Sequence, residues 1–285
     1  MTVGPSRRAF LATAAVALSP IVLSPRPARA LSLPAARPLI CAHRGWTDPT
    51  QAENSLIQMR QTLRHGPFMM ELDLATDSDG TIVLMHDDTV NRTTDGDGPV
   101  AAMTDAQRQR LRLRRADGAT DEAIPLYDDV LRWAASAPTA RLMLDIKGVS
   151  PEAALTPVRR AGLSDRVVVL TFHPAQSQAA FDADPDALVC VLTADAAQLT
   201  AARDMARGRR FAAYVPRAAD VALFHAAHQA GAVVITDLLG PGAFGATHDI
   251  WMPDAAARWV RSRPIDIIVT NTPVSLRAAL SHSTG

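Results

Sequence analysis

Four short polar groups carry most of the reactive side chains in this sequence: His43-Arg44, Glu71-Leu72-Asp73, His86-Asp87 and Asp145-Ile146-Lys147. Residues two apart on a strand share a face, so Glu71 and Asp73 point the same way, as do Asp145 and Lys147. Three carboxylates turned toward one space raise one another's pKa, and a divalent cation removes that conflict. Oxygen ligands suit Mg²⁺ or Ca²⁺ rather than zinc or copper. Two histidines can serve as general acid and base near neutral pH. Arg44 and Lys147, the only lysine in the chain, offer charge-assisted bonds to a phosphate. A cation, two histidines, an arginine and a lysine suit the cleavage of a phosphodiester. Each residue also has a plainer reading, as a hydrogen-bonded strand end or a partner of a buried arginine. Recurrence at successive strand ends favours the joint site.

Such a site needs strands that end on one rim. Strand-like apolar runs cover Leu39–His43, Phe68–Leu74, Ile82–His86, Arg141–Ile146, Val167–Phe172, Ala187–Leu192, Phe211–Val215, Val233–Asp237 and Asp266–Thr270. Helical patterns lie between most of them, which predicts βα units and a parallel sheet. About eight such units close into a TIM (β/α)8 barrel, an α/β fold whose strand ends converge on one mouth. Nine candidates compete for eight places. Phe68–Leu74 and Ile82–His86 are joined by Thr76-Asp77-Ser78-Asp79-Gly80, too short for a parallel crossover, so one of the two is expected as a hairpin partner at the mouth or as an added strand. The alternative fold, an open doubly wound sheet, calls for a Gly-rich loop after the first strand, where this chain has Arg44-Gly45-Trp46. A polar stretch of about 88–123, with one weak helix at Asp105–Arg114, reads as a small insertion.

The 285 residues include 29 basic and 29 acidic ones. The first 30 hold Arg7, Arg8, Arg26 and Arg29 and no acid, and without them the net charge is −4. That balance gives no electrostatic footprint for nucleic acid or an anionic membrane. The same 30 residues run from Arg7-Arg8-Ala9-Phe10-Leu11 through an apolar stretch to Ala28-Arg29-Ala30, the layout of a cleavable signal of twin-arginine type. The expectation is a signal peptide at 1–30, a domain at 31–285, and a periplasmic or secreted product without stable membrane association. An uncleaved anchor is the other reading. Cys41 and Cys190 sit in apolar runs and are read as small buried strand residues.

The motifs Ala42-His43-Arg44-Gly45, Glu53-Asn54-Ser55, Glu71-Leu72-Asp73, Asp79-Gly80, His86-Asp87 and Arg92-Thr93-Thr94-Asp95-Gly96 resemble, in order and spacing, the signature of the glycerophosphodiester phosphodiesterases. Ile124-Pro125-Leu126, Asp145-Ile146-Lys147, Leu170-Thr171-Phe172 and Val269-Thr270-Asn271-Thr272-Pro273 extend the likeness over roughly residues 39–273. The resemblance implies a TIM barrel with a small insertion and one divalent cation, Mg²⁺ or Ca²⁺. It also implies hydrolysis of small glycerophosphodiesters, such as glycerophosphocholine, to glycerol 3-phosphate and an alcohol. Carried over by motif, His43 and His86 are the acid/base pair, Glu71, Asp73 and Asp145 the metal ligands, and Arg44 and Lys147 the phosphate binders. Glu53 and Asn54 shape the first loop.

Three departures bear on the substrate. Asp145 stands where the family usually has glutamate, Asn271 where it usually has aspartate, and Ile235-Thr236-Asp237 where a Trp-Thr pair is common. A Gly-rich loop, Gly240 to Gly245, follows, and Trp46 and Trp251 are candidates for lining that side of the mouth. Two rivals stay open: a phospholipase-D/C-like enzyme acting on intact lipids, and a non-catalytic periplasmic binding protein on the same barrel.

Overall fold

The computed structural model describes residues 38–240 and 252–282, with Met1, Leu31 and Leu33. The expected signal at 1–30, the loop at 241–250 and Trp251 lie outside the described residues. The strands are β1 (Leu39–Ala42), β2 (Met69–Thr76), β3 (Ile82–Leu84), β4 (Arg114–Arg115), β5 (Gly118–Ala119), β6 (Arg141–Asp145), β7 (Val167–Thr171), β8 (Leu188–Leu192), β9 (Ala212–Tyr214), β10 (Val233–Asp237) and β11 (Ile267–Thr270). Eight of them, β1, β2 and β6 to β11, pair in parallel, and β11 returns to β1. The sheet is therefore a closed TIM barrel, and the open doubly wound alternative falls.

Helices cross over between most of the strands. Proline at the first turn starts Pro151–Arg160, Pro174–Ala183, Pro253–Arg261 and Pro273–Ser281, where its missing N–H costs nothing. Ser55, Ser150 and Asp195 cap three helices through their side-chain oxygens. Among the described residues, no helix is long and apolar enough to cross a membrane.

Strand alternation sorts the core into two layers. Ile40, Met70, Leu72, Leu142 and Leu144 face outward and pack with helix residues such as Met59, Leu155 and Phe181. Cys41, Met69, Met143, Val168, Cys190 and Ile235 belong to a second apolar layer, with Leu31 packed among them. Both cysteines are free and buried.

The Ile82–His86 run resolves the count of nine. β3 pairs antiparallel with the end of β2, Leu74 level with Leu84 and Thr76 with Ile82. The turn is tied by Asp77, whose Oδ1 accepts from the N–H of Asp79 and Thr81 (3.1 and 2.9 Å), and Gly80 takes φ +81°. The chain then falls back on the rim, and the Met85 N–H donates to the Asp73 carbonyl at 3.0 Å. His86 is next in line. The stretch that follows packs through Val90, Val100, Leu113 and Ile124 against Val83 and Met85. Its helix is shorter than expected, Asp105–Arg108 rather than Asp105–Arg114. Past it, the chain pairs with its own loop: Arg112 and Arg114 donate backbone N–H groups to Asp95 and Thr93.

Candidate active site

Register assembles the carboxylates. β2 and β6 run side by side with Asp73 level with Asp145 and Glu71 level with Met143. Glu71 and Asp73 continue the face that carries Met69, and Asp145 the face that carries Met143. All three are buried, and one oxygen of each lies within 4.8 Å of the others. Burial pushes the Glu71 carboxyl well up, and Asp73 adds to the push against the Arg44 N–H. Burial also raises Asp145, with Lys147 opposing and Asp73 adding.

The protein's own cations balance this cluster only in part. Lys147 Nζ stands 3.3 Å from Asp73 Oδ1 and 3.3 Å from Asp145 Oδ2. Burial alone would lower its pKa, but Asp145 and Asp73 carry it above the usual lysine value. Arg44 Nε lies 3.8 Å from Asp73 Oδ2 and is buried without a hydrogen-bond partner. A set of three buried oxygen donors with surplus negative charge fits a hard divalent cation.

The first loop is pinned to this cluster. Arg44 and Asn54 hold left-handed backbone at φ 52° and 53°, a conformation that costs a non-glycine residue about 1 kcal/mol or more. The strain is held by hydrogen bonds. The Arg44 N–H donates to Glu71 Oε2 at 2.7 Å, and the Asn54 N–H to the Arg44 carbonyl at 2.9 Å. The Asn54 amide brackets Asp73, donating to Oδ2 (2.8 Å) and accepting from its N–H (3.0 Å).

The histidines come from different elements, His43 from just past β1 and His86 from just past β3. His43 follows β1, and Ala42 is level with Thr270, so His43 meets Asn271, Nδ1 to Oδ1 at 2.8 Å. Burial and the Arg44 charge pull its pKa down to about 4, against the opposing bond to Asn271. Trp46 packs edge-on against the His43 ring, centroids 6.0 Å apart, and is buried. Trp46 therefore backs the imidazole. His86 bonds through Nδ1 to Asp87 Oδ1 at 2.6 Å. Arg92 grips the same carboxylate, Nε to Oδ2 at 2.7 Å, and reaches Glu53 at 2.6 and 2.8 Å. Glu53 also takes two 2.8 Å bonds from Arg44. A chain of polar contacts thus runs from His86 through Asp87, Arg92 and Glu53 to Arg44, the neighbour of His43.

The seven residues proposed for acid/base, metal and phosphate roles, His43, Arg44, Glu71, Asp73, His86, Asp145 and Lys147, all stand within or just past the neighbouring strands β1, β2, β3 and β6. The profile of the Glycerophosphoryl diester phosphodiesterase family matches residues 43–275, nearly the whole barrel. The chain belongs to that family. It is 41% identical over 96 residues to mouse glycerophosphodiester phosphodiesterase 1, a match covering 32% of this chain and 28% of that protein. The chain thus spans less than a third of that relative's length. The barrel resembles that of a Glycerophosphoryl diester phosphodiesterase from Parabacteroides distasonis, with TM-score 0.74, 24% identity and 86% of each chain covered. It also resembles an Oleispira antarctica phosphodiesterase in complex with the product sn-glycerol-3-phosphate, with TM-score 0.68, 18% identity, and 86% and 97% covered.

Within this family member, reading the sequence left three residues without a task. Asn271 registers there as a departure, not as the partner of His43. Asp87 and Arg92 sit in recognised motifs, yet their grip on His86 depends on how the 88–123 stretch folds back. We expect Arg92→Ala to lower kcat by on the order of tenfold to a hundredfold, the usual cost of losing a partner that orients a functional histidine. KM should change little and Arg92→Lys should restore part of the loss, both readable by steady-state kinetics.

Proposed function

We propose that this protein hydrolyses small, water-soluble glycerophosphodiesters to glycerol 3-phosphate and an alcohol, with one divalent cation, Mg²⁺ or Ca²⁺. The observation that carries the reading is the buried triad Glu71, Asp73 and Asp145, held at the rim where Arg44, next to His43, and Lys147 both approach Asp73. Glu71, Asp73 and Asp145 would hold the cation, which supplies Lewis-acid stabilisation of charge on the phosphoryl oxygens. Arg44 and Lys147 take the phosphate oxygens, one as a planar fork and the other as a point charge. His43, neutral through the physiological range, accepts the proton of the attacking hydroxyl. The Asp87 carboxylate holds His86 through Nδ1 and orients the ring, leaving Nε2 to give a proton to the departing alcohol. The 1–30 segment is proposed as an export signal and 31–285 as the mature hydrolase, periplasmic or secreted.

The test is a substrate panel. Purified protein with Mg²⁺ or Ca²⁺ should release glycerol 3-phosphate from deacylated glycerophosphodiesters and leave intact phospholipid vesicles untouched. Release from vesicles alone would favour the lipid-acting rival. No release from any diester, together with tight binding of one, would favour the binding protein.

The His43 environment sets a pH dependence. An imidazole held at about 4 is neutral, and so competent as a base, at every pH above that value. The acid limb of kcat/KM should therefore stay flat through pH 6.5, where an ordinary histidine would bend it, and fall only near pH 4. A limb that bends near 6.5 and is abolished in His43→Gln would contradict this. The same shift carries a stability sign. The unfolded chain takes up a proton near pH 6.5 that folded His43 refuses, so this group costs stability as pH falls from about 6.5 to 4.

A further inference from the structure

One carboxylate of the 88–123 stretch lies outside the site yet grips the loop that serves it. Glu122 is half-buried, and its Oε2 accepts from the Ser55 hydroxyl. Its Oε1 accepts from the Ile57 N–H at 3.1 Å. Ser55 is the N-cap of the helix Leu56–Arg64, its Oγ accepting from the Gln58 N–H at 3.0 Å. The first N–H groups of a helix find no partner within it. Ser55 satisfies one of them, and Glu122, 65 residues beyond Ile57 in the chain, satisfies another.

Glu122 is itself fixed. Its N–H donates to Thr120 Oγ1 at 3.1 Å, and its carbonyl accepts from the Leu113 N–H at 2.8 Å. Leu113 and Ile124 are buried in the cluster that seats this stretch on Val83 and Met85. A packed frame therefore delivers the carboxylate. A second tie, from the Ala116 N–H to the Thr50 carbonyl at 2.9 Å, holds the same two segments together.

The grip falls one residue from the triad's own support. Asn54, just before Ser55, is 2% exposed and brackets Asp73 with its amide. Its left-handed backbone, φ 53°, persists only where the surroundings impose it. On one side they do so through the bond from the Asn54 N–H to the Arg44 carbonyl. On the other side stands the helix start that Ser55 and Glu122 hold.

We propose that Glu122 is a positioning residue for the cation site: by anchoring Ser55 and the first turn of the helix, it keeps the Asn54 amide on Asp73 and so sets cation affinity without touching the ion. The inference rests on the hydrolytic reading above and deepens it, giving the 88–123 stretch a task separate from the grip of Arg92 on Asp87. Partners that orient a metal ligand are commonly worth about 10- to 100-fold in metal affinity. Glu122 acts one step further out, through Asn54, and carries the smaller share.

The experiment reads cation affinity by calorimetry with Mg²⁺ and Ca²⁺, and the loop by amide hydrogen exchange in metal-free protein. Both are done at a temperature where circular dichroism shows every variant folded. Glu122→Ala should weaken the better-bound ion by about three- to tenfold, below the range for a direct partner, and speed exchange of the Asn54 N–H. Glu122→Gln keeps an acceptor for the Ile57 N–H and a polar group for Ser55, so it should recover most of both. Asn54→Gly takes the left-handed backbone freely but lacks the side-chain amide. In that background Glu122→Ala should cost no further affinity, because the two act through one group. A Glu122→Ala protein that melts lower yet binds the ion as wild type does would overturn the proposal. So would an undiminished further loss in the Asn54→Gly background. A wild-type protein that binds neither ion would instead remove the metal-dependent reading. The exchange comparison, made without ion, then decides the grip on Asn54 by itself, and an unchanged rate in Glu122→Ala would overturn it.

Discussion

Replacing His86 by alanine is expected to lower kcat by about 10²- to 10⁴-fold while leaving the fold intact, and His43→Ala is expected to do the same. The two losses should not add in the double variant, because acid and base act in one event. Stability is expected to hold because neither ring is a core element. His86 is about a third exposed, and its hydrogen bond ends on Asp87, which keeps Arg92 when the imidazole is gone. His43 lies at the rim beyond the end of β1, outside the apolar clusters of the core. Both variants should therefore keep the wild-type circular dichroism spectrum and melt within a few degrees of the parent. Diester binding, followed by calorimetry, should survive in both. A variant that binds and does not turn over separates an enzyme from a binding protein. Turnover that persists in either alanine variant removes that histidine from its assigned role.

The second large effect has two signs. Glu71→Gln should abolish divalent-cation binding and turnover, yet stabilise the metal-free protein. The reason is electrostatic. Burial and Asp73 already hold the Glu71 carboxyl well above its ordinary value, so ionising it at neutral pH works against folding. A folded-state pKa raised above the unfolded one contributes stability below the ordinary carboxylate range, and that contribution is lost as pH rises through the shifted value. Metal-free wild type should therefore melt lower at pH 8 than at pH 5 by more than Glu71→Gln does. The amide keeps the acceptor for the Arg44 N–H and removes the charge. A gain of about 2–4 °C is what 1 kcal/mol produces in a domain of this size. Adding Mg²⁺ or Ca²⁺ should reverse the order, raising the wild-type melting temperature by mass action and leaving the variant where it was. A buried group that served only packing would lose stability on substitution with or without the ion.

Much of this site is legible in the sequence because strand parity is a strict rule. Glu71 and Asp73 must share a face, and once the Ile82 run folds back as a hairpin partner, β2 and β6 are consecutive barrel strands, so Asp145 arrives beside them. Lys147, two residues on, follows. Other features depend on contacts that no local pattern encodes. The partner of His43 is 228 residues away and is set by the closure of β11 on β1. Whether Ile82–His86 adds to the barrel or folds back on it is ambiguous in an apolar run of that length. The turn rules out a parallel crossover, and only the pairing with Leu74–Thr76 shows the antiparallel answer. The helix expected at Asp105–Arg114 stops at Arg108 because Arg112 and Arg114 find backbone partners in the preceding loop, a tertiary override of a modest helical pattern. Arg92 shows the same gap from the functional side. Its motif is recognisable, but its hold on Asp87 and Glu53 emerges only when the 88–123 stretch packs on the rim.

Trp46 illustrates how one residue type admits two roles. An aromatic ring near a phosphodiester site invites a cation–π contact with the alcohol. In the fold the ring is buried edge-on to His43 rather than open to a headgroup. Its indole N–H is buried without a partner. It is placed to restrict the imidazole rather than to receive a headgroup.

One assay reaches the centre of the account. Protein stripped with EDTA is mixed with a glycerophosphodiester, and glycerol 3-phosphate is measured before and after Mg²⁺ or Ca²⁺ is restored, for wild type and for Asp73→Asn. The account predicts no product from stripped wild type, recovery with at least one of the two ions, and no recovery in the variant at any ion concentration. Full activity in the stripped protein, or an Asp73→Asn variant that responds to the ion as wild type does, would contradict it.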